Sequence, residues 1–232
     1  MPTIAIVPAR GGSKRIPRKN IVDFCGKPLM VHALEIAKAS GLFDEIHVST
    51  EDDEIAAVAT AHGFAPAFPR TRLLADDVTG LFPVLAWVLA EYARRGRTFD
   101  DVCLVMPTAP LIEPADLERG YALYRSAGRT FPVLAAARFP CPVEWAMRLS
   151  ADGHLTAREP GMAAIRSQDL PHAYYDSGTF IWLPAAALMA GMPPDPTYLA
   201  CELPRSKAID IDEPEDLAFA EVVFRGLRAR FA

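Results

Sequence analysis

Thr3-Ile4-Ala5-Ile6-Val7-Pro8-Ala9-Arg10-Gly11-Gly12-Ser13-Lys14-Arg15-Ile16-Pro17-Arg18-Lys19-Asn20 is the stretch on which the fold turns. Thr3 to Val7 is a short apolar run that reads as a buried strand. Arg10 to Lys19 is a loop with two glycines and five cations, Arg10, Lys14, Arg15, Arg18 and Lys19, and no acidic residue precedes Asp23. Glycine lets backbone N–H groups approach an anion closely, and the cations neutralise it. A strand feeding such a loop is a place to grip a polyphosphate. The spacing is neither the P-loop G-x-x-x-x-G-K-[ST] nor the dinucleotide fingerprint G-x-G-x-x-G. A merely solvated turn would mix the signs of its charges.

Outward from this loop, short apolar runs alternate with helical patterns. Leu29, His32, Ala33, Ile36 and Ala37 recur at helical spacing, and Gly41 stops them. Ile46 to Ser49 reads as a strand. Thr50 with Asp53 resembles a capping box for a helix through Ala59. Leu81, Val84, Leu85, Val88 and Leu89 mark a third helix, Val102 to Met106 a buried strand, Glu113 to Ala127 a helix, and Val133 to Ala137 a strand. This rhythm predicts an α/β fold: a Rossmann-like, mostly parallel sheet with helices on both faces, binding ligand at the carboxyl ends of its strands. Between Arg138 and Tyr175 the rhythm breaks into proline-rich and polar sequence, too long for an ordinary loop. One domain over 1–232 is expected, with 139–175 as a small protruding arm that meets a second subunit. Gly178 to Leu183 returns as a strand. Ala208-Ile209-Asp210-Ile211-Asp212 reads as another before the last helix.

The 232 residues suit a single core, with 51% hydrophobic residues and a formal charge of −5. That charge argues against nonspecific nucleic-acid binding, so the basic loop is a local concentration for one small anion. Cys25, Cys103, Cys141 and Cys201 are scattered without a C-x-x-C pair, which excludes the common zinc and redox motifs and suits a cytoplasmic protein. No apolar run nears the ~20 residues that span a bilayer, so no membrane partner is expected.

Period-2 geometry would put Asp210 and Asp212 on one face of their strand. Two hard oxygen ligands side by side suit Mg²⁺, which takes one or two carboxylates together with phosphate oxygens. The rival reading, Asp212 capping the last helix opposite Glu215, leaves Asp210 unexplained, and both stand open. Arg70 to Asp77 is a polar connection in which Arg70 either donates to a nucleobase or is exposed. Arg166-Ser167-Gln168-Asp169 and Tyr174-Tyr175-Asp176-Ser177-Gly178 are donor-rich segments suited to a sugar or carboxylate. None of the five histidines forms a metal-binding pair.

Together these segments resemble the acylneuraminate cytidylyltransferases, or CMP-sialic acid synthetases. The resemblance rests on Ile6 to Asn20, Arg70 to Asp77, Pro107-Thr108-Ala109-Pro110 and Ile209 to Asp212, and covers nearly the whole chain. Within the family the likeness is to the pseudaminic acid branch, through Arg138 to Pro142, Arg166 to Leu170 and Ala173 to Gly178. Thr71, Met106, Tyr175, Ser177 and Thr179 depart from the family pattern.

The resemblance implies transfer of CMP from CTP to a nonulosonic acid with release of pyrophosphate, on a nucleotide-diphospho-sugar transferase type of fold. It implies that Arg10, Ser13, Lys14 and Lys19 bind the triphosphate, with Arg10, Lys19 and Asp210 catalytic. Gly11 and Gly12 would add backbone amides, and Asn20 would reach the ribose or a phosphate. Arg70 and the backbone of Ala9 would meet cytosine, with Asp77, Pro107 and Thr108 nearby. Arg166 would pair with the sugar carboxylate, while Gln168, Tyr174 and Asp176 touch the sugar. Asp210 and Asp212 would hold Mg²⁺, and a homodimer is expected.

Overall fold

The computed structural model describes residues 1–76, 78–193 and 195–229. Among the described residues there are ten strands: β1 (Thr3–Pro8), β2 (Asp23–Phe24), β3 (Lys27–Pro28), β4 (Glu45–Ser49), β5 (Asp101–Val105), β6 (Val133–Arg138), β7 (Met147–Leu149), β8 (Leu155–Ala157), β9 (Tyr174–Pro184) and β10 (Leu199–Glu202). Six α-helices accompany them there: α1 (Leu29–Ala39), α2 (Asp53–Ala61), α3 (Leu81–Arg94), α4 (Pro114–Ser126), α5 (Ala185–Ala190) and α6 (Pro214–Ala229).

The central sheet has the order β10-β6-β9-β5-β1-β4. β1 runs parallel to β4 and β5, and β10 parallel to β6; β9 is antiparallel to both its neighbours. Every residue of β1 and β5 is buried, as a strand covered on both faces requires. Alternation along these strands sends side chains to two separate cores. Ala5, Val7, Cys103, Val105 and Trp182 pack with residues of α1, α2 and α4. Ile4, Ile6, Val102, Leu104, Ile181 and Leu183 pack with α3 and α5 on the other side. Each such large aliphatic side chain contributes about 1.5–3 kcal/mol on burial, before the entropy of ordering it.

A third, smaller core positions the site. Ile16 of the basic loop, Phe24, Leu29, Leu111, Ile211, Ala220 and Phe224 form one apolar cluster. Burying Ile16 and Ile211 together fastens the amino-terminal loop to the segment that leads into α6.

The carboxyl ends of β1, β4 and β5 lie at one edge of the sheet, as parallel pairing demands. Because β9 is reversed, its amino-terminal half reaches the same edge: Val105 pairs with Phe180, and the Met106 N–H donates to Thr179 O at 2.7 Å. Against β6 the register of β9 shifts between Leu134 and Ala136. In this irregularity the buried Ser177 hydroxyl donates to Ala135 O at 2.7 Å and lies 2.7 Å from the Thr179 hydroxyl. Two of the departures from the family pattern, Ser177 and Thr179, thus form a hydroxyl pair, and its Ser177 member satisfies a backbone carbonyl where the ladder is interrupted.

Three sequence expectations are corrected. Residues 208–212 are irregular, and the sheet takes β10 instead, a strand the reading missed along with α5. Thr50 does not cap α2; Asp52 does, its Oδ1 accepting from the N–H groups of Glu54 and Ile55 at 3.0 Å. Asp212 does not cap α6 opposite Glu215. Asp216 reaches back and accepts from the N–H groups of Asp212 and Glu213, at 3.0 and 2.7 Å.

Candidate active site

A cavity of about 290 Å³ opens at the carboxyl end of β1. Arg10, Ser13, Lys14, Arg15, Lys19 and Asn20 line one side of it. Arg70, Leu74, Asp76, Thr79, Leu81 and Val84 line another, and Pro8, Met106, Pro107 and Thr108 complete it. One side is therefore cationic, and the other mixes apolar Leu74, Leu81 and Val84 with polar Arg70, Asp76 and Thr79. Asp77, expected on the nucleotide side, lies outside the described residues.

The loop is held by the acidic run Glu51-Asp52-Asp53-Glu54, which follows the adjacent strand β4. Arg18, with φ of 58°, grips both Asp52 oxygens at 2.6 and 2.8 Å and also meets Glu54. The Arg18 hydrogen bond, ahead of the helix N–H donors, pulls the Asp52 carboxyl down to about 2. Gly11 lies so near this acid that a Cβ there would meet Asp52 Oδ2 at 2.3 Å, whereas one on Gly12 would meet nothing within 4 Å. The Gly11 N–H donates to Glu51 Oε1 at 2.9 Å, which corrects the expectation that it is a ready phosphate donor. Asn20 also has a partner within the loop, its Nδ2 donating to Arg10 O at 2.9 Å. Arg10 reaches across the cavity to Asp76 O at 2.7 Å.

Arg70 is 5% exposed, which overturns the exposed alternative. Its Nε donates to Glu51 Oε2 at 3.2 Å, and its Nη2 to the same oxygen. Ala9 is buried between the cavity-lining Pro8 and Arg10, with its N–H given to Ser49 O at 2.9 Å.

Asp210 and Asp212 adjoin the loop. Lys19 Nζ donates to Asp212 Oδ1 and to Ile211 O, both at 2.8 Å, and Arg15 meets Asp212 Oδ2 at 2.6 Å. The Lys19 hydrogen bond is the chief reason that the Asp212 pKa is lowered. Asp210 is shifted the other way: desolvation by its surroundings comes first, then repulsion from Asp212, which the Lys19 charge opposes. Asp176 and Asp216 add to that repulsion.

The four residues expected on the sugar side are divided. Asp176 accepts from the Gly178 N–H at 2.9 Å and is within electrostatic reach of Asp210. The Tyr174 hydroxyl donates to Glu202 at 3.3 Å. Gln168 lines a separate cavity of about 440 Å³ with Arg138, Cys141 and His172. Arg166 is paired with Asp169 at 2.8 Å, with 72% of its side chain exposed, and lines neither cavity.

The sequence reading missed Glu51, Asp52 and the role of Arg18. Their signal was present: four consecutive acidic residues stand at the end of the strand that neighbours β1.

A fold of this topology with a basic loop at its switch edge defines a class of nucleotidyl-transferring enzymes, and the comparisons agree. Residues 4–128 match the family model described as Cytidylyltransferase. The chain belongs to that family. It is 36% identical to a pseudaminic acid cytidylyltransferase of Campylobacter jejuni, over 97% of both chains. It is 28% identical to the CMP-N,N'-diacetyllegionaminic acid synthase of Legionella pneumophila, over 95% of each. Among solved structures, a CMP:2-keto-3-deoxy-manno-octonic acid synthetase complexed with CTP shares the fold, with a TM-score of 0.72 at 17% identity, covering 98% of this chain and all of that one. Among the described residues no helix is long and apolar enough to cross a membrane.

Proposed function

We propose that the protein transfers CMP from CTP to a nonulosonic acid, pseudaminic acid first among them, and releases pyrophosphate. The observation that carries this reading is the junction at Lys19, a cavity-lining residue of the cationic loop that is bonded to Asp212, two residues from Asp210. The similarity to the Campylobacter relative over 97% of the chain supports the choice of sugar.

In this reading the anomeric hydroxyl of the sugar attacks the α-phosphorus in line, and pyrophosphate leaves. The protein contributes positioning and charge neutralisation rather than a nucleophile of its own. Arg10, Ser13, Lys14 and Lys19 bind the triphosphate and stabilise the departing pyrophosphate. The apolar side, with Leu74, Leu81 and Val84, takes the base, and Arg70 donates to it. Pro107 and Thr108 close that side, and Asp176 faces the sugar.

Divalent metal binding is part of the proposal. Among the described residues no three His, Cys, Asp or Glu side chains gather into a metal cage. Two carboxylates suffice for Mg²⁺ when phosphate supplies further oxygens. Asp210 fits: it is a hard donor repelled by Asp212, Asp176 and Asp216, with the Lys19 charge opposing them. Asp212 fits as the second, sharing its charge with Lys19 and Arg15. The ion would neutralise phosphate oxygens there.

Homodimer formation and a cytoplasmic location complete the proposal. The hairpin β7–β8 carries exposed Met147, Leu149 and Leu155, an apolar surface suited to a second copy. The four cysteines are free thiols, as a reducing compartment keeps them.

A panel of pseudaminic, legionaminic and N-acetylneuraminic acids with CTP and Mg²⁺, read by pyrophosphate release, tests the function. Turnover greatest with pseudaminic acid supports it. Turnover greatest with another sugar moves the substrate. CTP binding without pyrophosphate release from any sugar would make the protein a binding module.

A further inference from the structure

Glu51 stands two residues past the end of β4, with its side chain only 14% exposed. Its two oxygens are divided between two parts of the site. Oε1 accepts from the Gly11 N–H at 2.9 Å, and Oε2 accepts from Nε and Nη2 of Arg70. Backbone bonds tie the segments of both partners to the end of β4: the Ala9 N–H donates to Ser49 O at 2.9 Å, and the Arg70 N–H to Thr50 O at 2.8 Å. The Arg70 side chain is 3% exposed and still lines the cavity. A guanidinium so deep is tolerated because its counter-charge touches it.

We infer that Glu51 is the positioning residue that fixes the phosphate-side loop and the base-side arginine at one separation, making Arg70 a selective reader of cytosine. The inference rests on the proposed CTP site and deepens it. Two consequences follow from the chemistry. Pairing with Glu51 cancels the Arg70 charge, so Arg70 acts through directed donors rather than as another phosphate ligand. A guanidinium offers donors alone. Cytosine presents acceptors at O2 and N3, whereas uracil carries a hydrogen on N3. An arginine held in one orientation therefore favours cytosine, and one released from its carboxylate loses that preference.

The test is calorimetric binding of CTP and UTP to the full chain, with thermal unfolding beside it. Glu51→Gln keeps an acceptor for Gly11 but cannot satisfy both Gly11 and the Arg70 donors through two acidic oxygens. CTP is expected to bind about tenfold more weakly, about one decade of Kd, and the CTP-over-UTP ratio to shrink by a similar factor. Because this variant strips Arg70 of its counter-charge and can unfold, Glu51→Asp is measured in parallel. It keeps the charge, withdraws it by one methylene, and is expected to reduce the same ratio while remaining folded. A folded Glu51→Asp with wild-type CTP affinity and wild-type discrimination overturns the inference. Loss of affinity for both nucleotides in equal measure also overturns it, since that is what a merely structural role gives. A wild-type protein that binds neither nucleotide overturns the underlying reading of the site, and the inference with it.

Discussion

Lys19 and Asp212, 193 residues apart in the chain, are joined at 2.8 Å, with the same Nζ bonded to the Ile211 carbonyl. Ile16 and Ile211 bury together just beneath this junction. Two carboxylates two residues apart thereby acquire opposite characters: Asp212 is held ionised by Lys19, while Asp210 is crowded and repelled. Proximity to a fixed cation separates them.

Asp210→Asn is expected to raise the melting temperature slightly. The Asp210 pKa lies above its unfolded value, so its ionisation destabilises the fold as pH rises past the usual carboxylate range. Removing the charge removes that penalty. Thermal unfolding at pH 7.5 checks it; a fall of several degrees contradicts the repulsion argument.

Lys19→Ala is expected to lower kcat/KM by more than tenfold, about 1.4 kcal/mol of transition-state stabilisation. It removes a cation from the cavity and leaves Asp212 with Arg15 as its partner. Steady-state kinetics of pyrophosphate release measure the effect. Unchanged kcat/KM rejects the assignment.

Gly178→Ala tests how β9 presents Asp210. Gly178 has φ of +63°, and a Cβ there would come within 3.1 Å of Asp210 Cγ. Left-handed backbone costs a non-glycine residue about 1–2 kcal/mol, and the contact pushes Asp210 aside. The expected result is a drop in kcat larger than any change in CTP affinity. Equal kcat in variant and wild type contradicts it.

His47 gives the fold a pH dependence of its own. It is buried with its Nδ1 3.2 Å from the Tyr92 hydroxyl, and burial first, then the Arg95 charge, pushes it down to about 4. From about pH 6.5 down to 4 the unfolded chain binds a proton that the folded chain refuses, so stability falls as pH falls, by about 3 kcal/mol over the window. Urea midpoints across that range should decline in the wild type and decline less in His47→Gln. Parallel slopes count against the assignment.

Much of this architecture was legible in the sequence because it depends on local pattern. β1 and β5 are continuous apolar runs, and the helices α1 to α4 show their periodicity. The reversal of β9 was not legible, since parallel and antiparallel pairing leave the same apolar run. The 208–212 segment kept the expected alternation of Ile209, Asp210 and Ile211, yet it pairs with no strand; Ile211 is buried by α6 and Ile16 instead of by a sheet. In the site, the cationic loop stood out because five like charges in ten residues are unusual. Its acidic counterparts Glu51 and Asp52 are some forty residues away, and only the β1–β4 pairing brings them beside Gly11 and Arg18. The donor-rich 166–169 stretch read as a sugar site, but its arginine is paired locally with Asp169.

The proposed transfer depends on one cleft holding CTP between the loop cations and Asp210. The direct measurement is pyrophosphate release from CTP and pseudaminic acid across a magnesium titration, in wild type and Asp210→Asn, with CTP affinity determined in both. Magnesium-dependent release is expected from the wild type and at least about 100-fold less from the variant, about 2.7 kcal/mol, with CTP still bound. An Asp210→Asn enzyme that turns over with the wild-type rate and magnesium dependence would contradict it.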